Sequence, residues 1–178
     1  MTHGTHFVVM GVSGTGKSTV AEPLARRLGL AFAEADDFHP DSNVAKMSAG
    51  TALTDEDRQP WLESLAAWIT EHDRRGTSTV MACSALKRSY RDILRSAAPD
   101  VRFLHLDTTT DVIAARLRER TDHFMPETLL RSQKSTLEPL ADDEPGATLD
   151  IAPPAEEVIE RAARIVSAAT GSEPASRD

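Results

Sequence analysis

Short apolar runs alternate with longer amphipathic stretches along this chain. Residues 6–10 form a β-branched apolar run that ends at Gly11, and from Lys17 a helical spacing sets Val20, Leu24 and Leu28 on one face. The order read there is strand, loop, helix. Gly29 is placed to stop that helix. Pro23 lies inside it and costs about 3 kcal/mol in a regular helix interior, so a kink or a local break is expected there. Residues 30–33, 78–83, 101–106 and 147–151 are each short enough for a buried strand, which brings the count to five. Helical patterns occupy residues 56–74, 85–95, 111–118 and 155–168. Alternation of this kind predicts an α/β fold, a parallel sheet covered by helices on both faces.

With 178 residues the chain is long enough for one well-cored domain and too short for two of ordinary size. A single domain over residues 1–169 is expected, followed by a small, polar tail at 170–178 that reads as frayed or disordered. Hydrophobic residues at 40% and charged residues at 27% fit a soluble globular protein. The formal charge of -8 argues against nucleic-acid and anionic-membrane partners, both of which need a net basic face. Cys83 is the one cysteine, so no internal disulfide and no cysteine-based zinc site can form. No apolar run approaches the about 20 residues of a membrane span, and the first residues lack a leader pattern. The expected compartment is the cytoplasm.

The strongest chemical signal is Gly11-Val12-Ser13-Gly14-Thr15-Gly16-Lys17-Ser18, which fits the phosphate-loop pattern G-x-x-x-x-G-K-[ST] and stands between a predicted strand and a predicted helix. A glycine-rich turn without a ligand is the bland alternative, and the pattern and its context together disfavour it. Glycines let backbone N–H groups turn inward around phosphate oxygens, the helix N-terminus adds positive potential, and Lys17 reaches the β and γ phosphates. Gly11, Ser13, Gly14, Thr15, Gly16, Lys17, Ser18 and Thr19 are therefore the candidate ATP contacts, with the Ser18 hydroxyl as the expected Mg²⁺ ligand.

Other segments narrow the reaction class. No Asn-Lys-x-Asp guanine-reading segment is present, and the strand at 78–83 ends in Cys83-Ser84 where a motor ATPase would carry a metal-binding Asp. The acids stand instead after the second strand, in Glu34-Ala35-Asp36-Asp37-Phe38-His39-Pro40, which favours a small-molecule kinase. Asp36, at a predicted strand end, is the candidate to accept the proton of an attacking hydroxyl; its plain alternative is an acid that caps a helix. Arg58, Lys87 and Arg91 are candidate cations for an anionic acceptor. Lys87 and Arg91, four apart, are expected on one helix face, although either could be a solvated surface charge. Arg116, Arg118, Arg120, His123 and Arg131 make a basic segment that could close over ATP as a lid at about 116–136, the alternative being a plain basic helix face. His39 and His123, taken alone, are more often structural, and Cys83 more often a small buried hydrophobe.

Read together, the phosphate loop, Asp36-Asp37-Phe38-His39-Pro40, Lys46-Met47, the block Leu53-Thr54-Asp55-Glu56-Asp57-Arg58-Gln59-Pro60-Trp61-Leu62 and Ala82-Cys83-Ser84-Ala85-Leu86-Lys87 resemble the gluconokinase family over roughly residues 6 to 168. His123-Phe124, Ser132-Gln133 and Thr136-Leu137-Glu138-Pro139 are similar to that family's lid and following helix. The resemblance implies a nucleoside-kinase-like three-layer P-loop fold with strand order 2-3-1-4-5, a helical lid, ATP with Mg²⁺, D-gluconate phosphorylated at its C6 hydroxyl, and a homodimer. It also implies substrate contacts at Asp36, His39, Arg58, Lys87, Arg91, His123 and Gln133, and ATP contacts at Arg116 and Arg120. Lys17, Asp36 and Arg120 are the catalytic set so implied. Three positions depart from the family's habit: Glu34 for Asp, Asp122 for Gly, and Lys134 for an aromatic residue. Shikimate kinase or another small-alcohol kinase on the same fold is the neighbouring reading. A nucleotide-binding regulator without acceptor chemistry is the reading from another class.

Overall fold

The structure, a computed structural model, describes residues 2–119 and 127–171. In chain order the elements are β1 (His6–Met10), α1 (Lys17–Leu28), β2 (Ala31–Glu34), one turn of 3₁₀ helix (Ala35–Phe38), α2 (Asp41–Ser48), α3 (Asp55–Arg74), β3 (Thr79–Ala82), α4 (Arg88–Arg95), β4 (Val101–Asp107), α5 (Thr110–Glu119), α6 (Glu127–Thr136), β5 (Gly146–Asp150) and α7 (Ala155–Thr170). The five strands form one parallel sheet in the order β2-β3-β1-β4-β5. All five expected strands are present, each within a residue or two of its expected place. Helix α2, whose pattern is mostly polar, went unread, and α6 was expected only from the resemblance, as the helix that follows the lid.

Period-two alternation in β1 shows why the sheet needs a layer on each face. Phe7 and Val9 point into a core built with Val20, Leu24, Val158 and Val166 of α1 and α7. Val8 and Met10 point the other way, into a core with Trp61, Leu65 and Ile69 of α3 and Leu94 of α4. Every residue of β1 is buried, as a central parallel strand requires. A third, smaller cluster of Val12, Leu86, Ile113, Leu117 and Leu130 lies under the loop after β1 and ties α5 and α6 to it.

The ends of the elements follow local rules. Gly29 stops α1 in the left-handed region, φ 66°, as expected. Thr54 caps α3 through a reciprocal box, its hydroxyl accepting from the Asp57 N–H while the Asp57 carboxylate accepts from the Thr54 N–H. Of the kink or local break expected at Pro23, the break does not occur, since α1 runs unbroken from Lys17 to Leu28. Burial of Val20, Ala21, Leu24 and Ala25 holds the helix through the one backbone bond that proline cannot make. The tail also starts later than expected: α7 continues to Thr170 and is closed by Gly171, and the rest of the tail lies outside the described residues. No helix among the described residues is long and apolar enough to cross a membrane.

Arg91 overturns a sequence expectation. Helix α4 begins at Arg88, so Lys87 precedes it as the cap residue, and the two cations do not share a face. The Arg91 side chain is fully buried, with Nε 2.6 Å from Glu144 Oε2 and Nη2 3.0 Å from Oε1. Its Nη1 donates to the carbonyl of Ala85 at 2.9 Å. Ala85 adopts φ 44°, a left-handed conformation rare without glycine, and this bond fastens it. Burial pushes the Glu144 carboxyl up, but the bonds from Arg91 and the Ala141 N–H more than offset this and hold it below its ordinary range. Arg91 thus fixes the turn after β3 to the segment before β5.

Two measurements follow from these contacts. Arg91→Met leaves the buried Glu144 carboxylate with only Arg88 Nη1, 3.7 Å away, and is expected to cost about 3 kcal/mol in chemical denaturation. Lys46 Nζ lies 2.8 Å from Asp57 Oδ1 and joins α2 to α3, and this bond, followed by those from Thr54, lowers the Asp57 carboxyl from 3.8 to about 2. A depressed carboxyl stabilises the folded state above its unfolded value, so this contribution is full above pH 3.8 and fades as the pH falls toward about 2. Asp57→Asn should flatten the acid limb of the stability profile in that window.

Candidate active site

The strands are parallel, so their C-terminal ends meet along one edge of the sheet, and the loops that leave β1, β2 and β3 face one another there. The loop after β1 curls back on itself because Gly11, Gly14 and Gly16 take φ values of 150°, 87° and 82°. A Cβ on Gly14 would meet Leu117 Cγ at 2.8 Å, and one on Gly11 would meet the Leu106 carbonyl oxygen at 2.7 Å. The loop is therefore seated between α5 and the end of β4 with no room for a side chain at either position. Gly16 precedes α1 as its cap residue, and neither a side-chain cap nor a first-turn acid engages the helix N-terminus. Lys17 Nζ donates to the Val12 carbonyl at 3.2 Å, across the mouth of the loop.

Two side chains from elsewhere touch the loop. Gln133, on α6, accepts the Ser13 N–H through Oε1 at 2.8 Å. Ser18 donates its hydroxyl to Glu34 at the end of β2. Burial pushes the Glu34 carboxyl up, the Ser18 bond opposes this, and the neighbouring charge of Asp36 adds to it. A hydroxyl and a carboxylate side by side form the hard oxygen set that suits Mg²⁺.

The acid turn after β2 is held from behind. Trp61 donates its indole N–H to the Ala35 carbonyl at 2.7 Å, and its ring stacks on His39 with centroids 4.3 Å apart and planes 13° from parallel. These contacts leave Asp36 exposed on the 3₁₀ turn, facing the crevice end of the sheet. His39 is half-buried, and its imidazole is pushed below the usual range, chiefly by burial. Asn43 reaches both His39 and the Asp57 carbonyl, which keeps α2 against α3.

Arg58 and Lys87 both lie over the ring of Tyr90. Arg58 Nη1 donates to the Leu53 carbonyl at 2.8 Å, and Lys87 Nζ lies 3.1 Å from Asp55 Oδ1. The hydroxyl of Tyr90 donates to the same Asp55 oxygen at 2.5 Å. Neither Asp55 nor Tyr90 stood out in the sequence, although Tyr90 is three residues beyond Lys87 and is the only tyrosine in the chain. Cys83, at the end of β3, is buried, and burial pushes its thiol up to about 12, which makes it an inert packing group.

On the far side of the phosphate loop lies a cavity of about 340 Å³ lined by Gly16, Thr19, Val20, Arg116, Ile151 and Pro153. Its size suits a nucleoside. Arg116 lies on its wall and donates to the Ile151 carbonyl. Lys134, one of the unusual positions, bonds Asp107 Oδ1 at 3.0 Å and the Thr108 carbonyl at 3.1 Å, which ties α6 to the end of β4. Arg118 and Arg131 are exposed, while Arg120, Asp122 and His123 lie outside the described residues. Of the expected site residues, the structure brings Lys17, Ser18, Asp36, His39, Arg58, Lys87 and Gln133 to the crevice edge, and places Arg91 in the interior.

Comparison with known proteins agrees with this fold. A family model described as an AAA domain matches residues 7–140. A gluconokinase of Gluconobacter oxydans is 55% identical over 139 residues, covering 78% of each chain. The unliganded crystal structure of a sugar kinase from a Janibacter species superimposes with a TM-score of 0.87 at 52% identity, over 94% of this chain and 97% of that one. A gluconokinase structure from Sinorhizobium meliloti gives 0.85 at 40% identity, over 96% of both chains. The chain is a member of the gluconokinase family of P-loop kinases.

Proposed function

We propose that this protein transfers the γ-phosphoryl group of ATP to the C6 hydroxyl of D-gluconate, giving 6-phospho-D-gluconate and ADP. The observation that carries this reading is the conjunction, along one edge of the sheet, of a phosphate loop, an exposed carboxylate, Asp36, and two cations, Arg58 and Lys87. A triphosphate in the loop would put its nucleoside end toward the cavity beside Arg116 and its γ-phosphate toward Lys17. The acid's carboxylate would meet the cations at the other end, which leaves the distal hydroxyl near Asp36.

In the transfer, the hydroxyl oxygen bonds to the γ-phosphorus in line with the departing β–γ bridge oxygen, and ADP leaves with that bond's electron pair. Asp36 orients the hydroxyl and accepts its proton. Lys17 balances charge on the transferring group, with Arg116 and Arg120 completing that role from the lid side. His39 and Gln133 supply hydrogen bonds to substrate hydroxyls, and His123 belongs to the same set. Magnesium, held by the Ser18 hydroxyl with Glu34 beside it, would neutralise charge on the β and γ oxygens.

ADP release by the purified protein with Mg-ATP, compared across gluconate, shikimate, glucose and no acceptor, tests the reading. Strong release with gluconate alone is expected, and equal release in all four arms overturns it. Asp36→Asn should lower kcat by about a hundredfold or more while the KM for ATP stays near its wild-type value. Because burial raises the Glu34 carboxyl above its ordinary value, protons compete with magnesium for it over the acid range. Magnesium affinity, followed by calorimetry without acceptor, should rise with pH through that range, and Glu34→Gln should remove the dependence.

A further inference from the structure

Tyr90 has more contacts with charged groups than a core aromatic needs. Only 6% of it is exposed, and its ring packs in the core beneath α3 and α4. Its hydroxyl nevertheless donates to Asp55 at 2.5 Å and lies 3.4 Å from Arg58 Nη1. The guanidinium carbon of Arg58 and the ammonium nitrogen of Lys87 each lie 5.6 Å from the centre of the ring. Both oxygens of Asp55 are within reach of Lys87, at 3.1 and 3.2 Å. One phenol therefore touches both cations and the carboxylate that holds Lys87.

We propose that Tyr90 is a positioning residue for recognition of the acceptor's carboxylate: its hydroxyl, through Asp55, fixes the Lys87 ammonium, and its ring sets the spacing between Lys87 and Arg58. This inference rests on the gluconokinase reading above and adds to it the group that organises the anion end of the site. Lysine carries its charge on a long flexible stem, so an isolated Lys87 would lose much rotamer freedom on meeting a carboxylate. Asp55 and Tyr90 take that loss in the free protein. The ring face adds attraction for both cations where water is partly excluded. Asp55 sits in the first turn of α3, where the helix end also favours its negative charge, so the anchor is itself fixed.

Tyr90→Phe removes the hydroxyl and keeps the ring. The KM for gluconate should rise about tenfold, with kcat within about threefold and the KM for ATP unchanged. Asp55→Asn, at an exposed site where folding is safe, should move the gluconate KM in the same direction. Because Tyr90 is the only tyrosine, isotope labelling at tyrosine Cζ gives a single NMR signal. Gluconate should shift it in the wild-type protein, and a non-hydrolysable ATP analogue alone should not. An unchanged gluconate KM in both variants overturns the proposal. Equal rises in the KM for gluconate and for ATP also overturn it, because they mark a merely structural role. If the wild-type protein releases no ADP with gluconate, the reading of function has failed instead. The Cζ signal, titrated with shikimate and other hydroxy acids, then still decides whether this cluster reads a carboxylate.

Discussion

The start of α1 carries positive potential with no capping side chain and no acid in its first turn, and that organises the whole crevice edge. A helix capped by Gly16, with no acid in its first turn, presents its N-terminal amides and positive potential to the loop that leads into it. Such an end is tolerable only where an anion or water can reach it. It therefore has to open onto the edge of the sheet, and β1 has to be a central strand so that neighbours on both sides can build walls around it. The close seating of Gly11 and Gly14 against β4 and α5 follows from the same demand.

The walls come from elements that share little else. On the β2 side Trp61 reaches across from α3 to hold the acid turn, so the long helix that covers one face of the sheet also positions Asp36. On the β3 side Ala85 turns in a left-handed conformation, and Arg91 fastens it from within the core. On the β4 side α6 is pinned by Gln133 to the phosphate loop and by Lys134 to Asp107. A carboxylate, a phosphate cradle and two cations are thus held by three separate parts of the chain, each anchored in the core.

Much of this was legible in the sequence, for reasons that differ by residue. The strands were readable because short apolar runs between amphipathic stretches have few other uses, and the phosphate loop because its glycines answer a backbone demand and leave a fixed spacing. Helix α2 was not, because its buried contacts are polar ones made by Asn43. The Thr54–Asp57 box was present as a pattern and would have placed the start of α3 one residue earlier than the apolar period did. Pro23 does not break α1 because propensity is a local quantity, while the burial that overrides it is tertiary. Arg91 misled for a deeper reason: a basic residue four beyond another suggests a common face, and nothing local reveals a carboxylate 53 positions away. Tyr90 was passed over because aromatic residues at helical spacing are usually core, and this one is core with a polar end in the site.

The Arg91–Glu144 pair also constrains how sequences of this fold can drift. Changing either residue alone strands an ion in the interior, whereas exchanging both for apolar side chains of matched volume is close to neutral. Single-step paths between the two arrangements pass through a poorly stable intermediate. The pair should therefore behave in divergence as one inherited character, kept or lost together, while the exposed ion pairs around it, such as Arg161–Glu157, turn over one residue at a time.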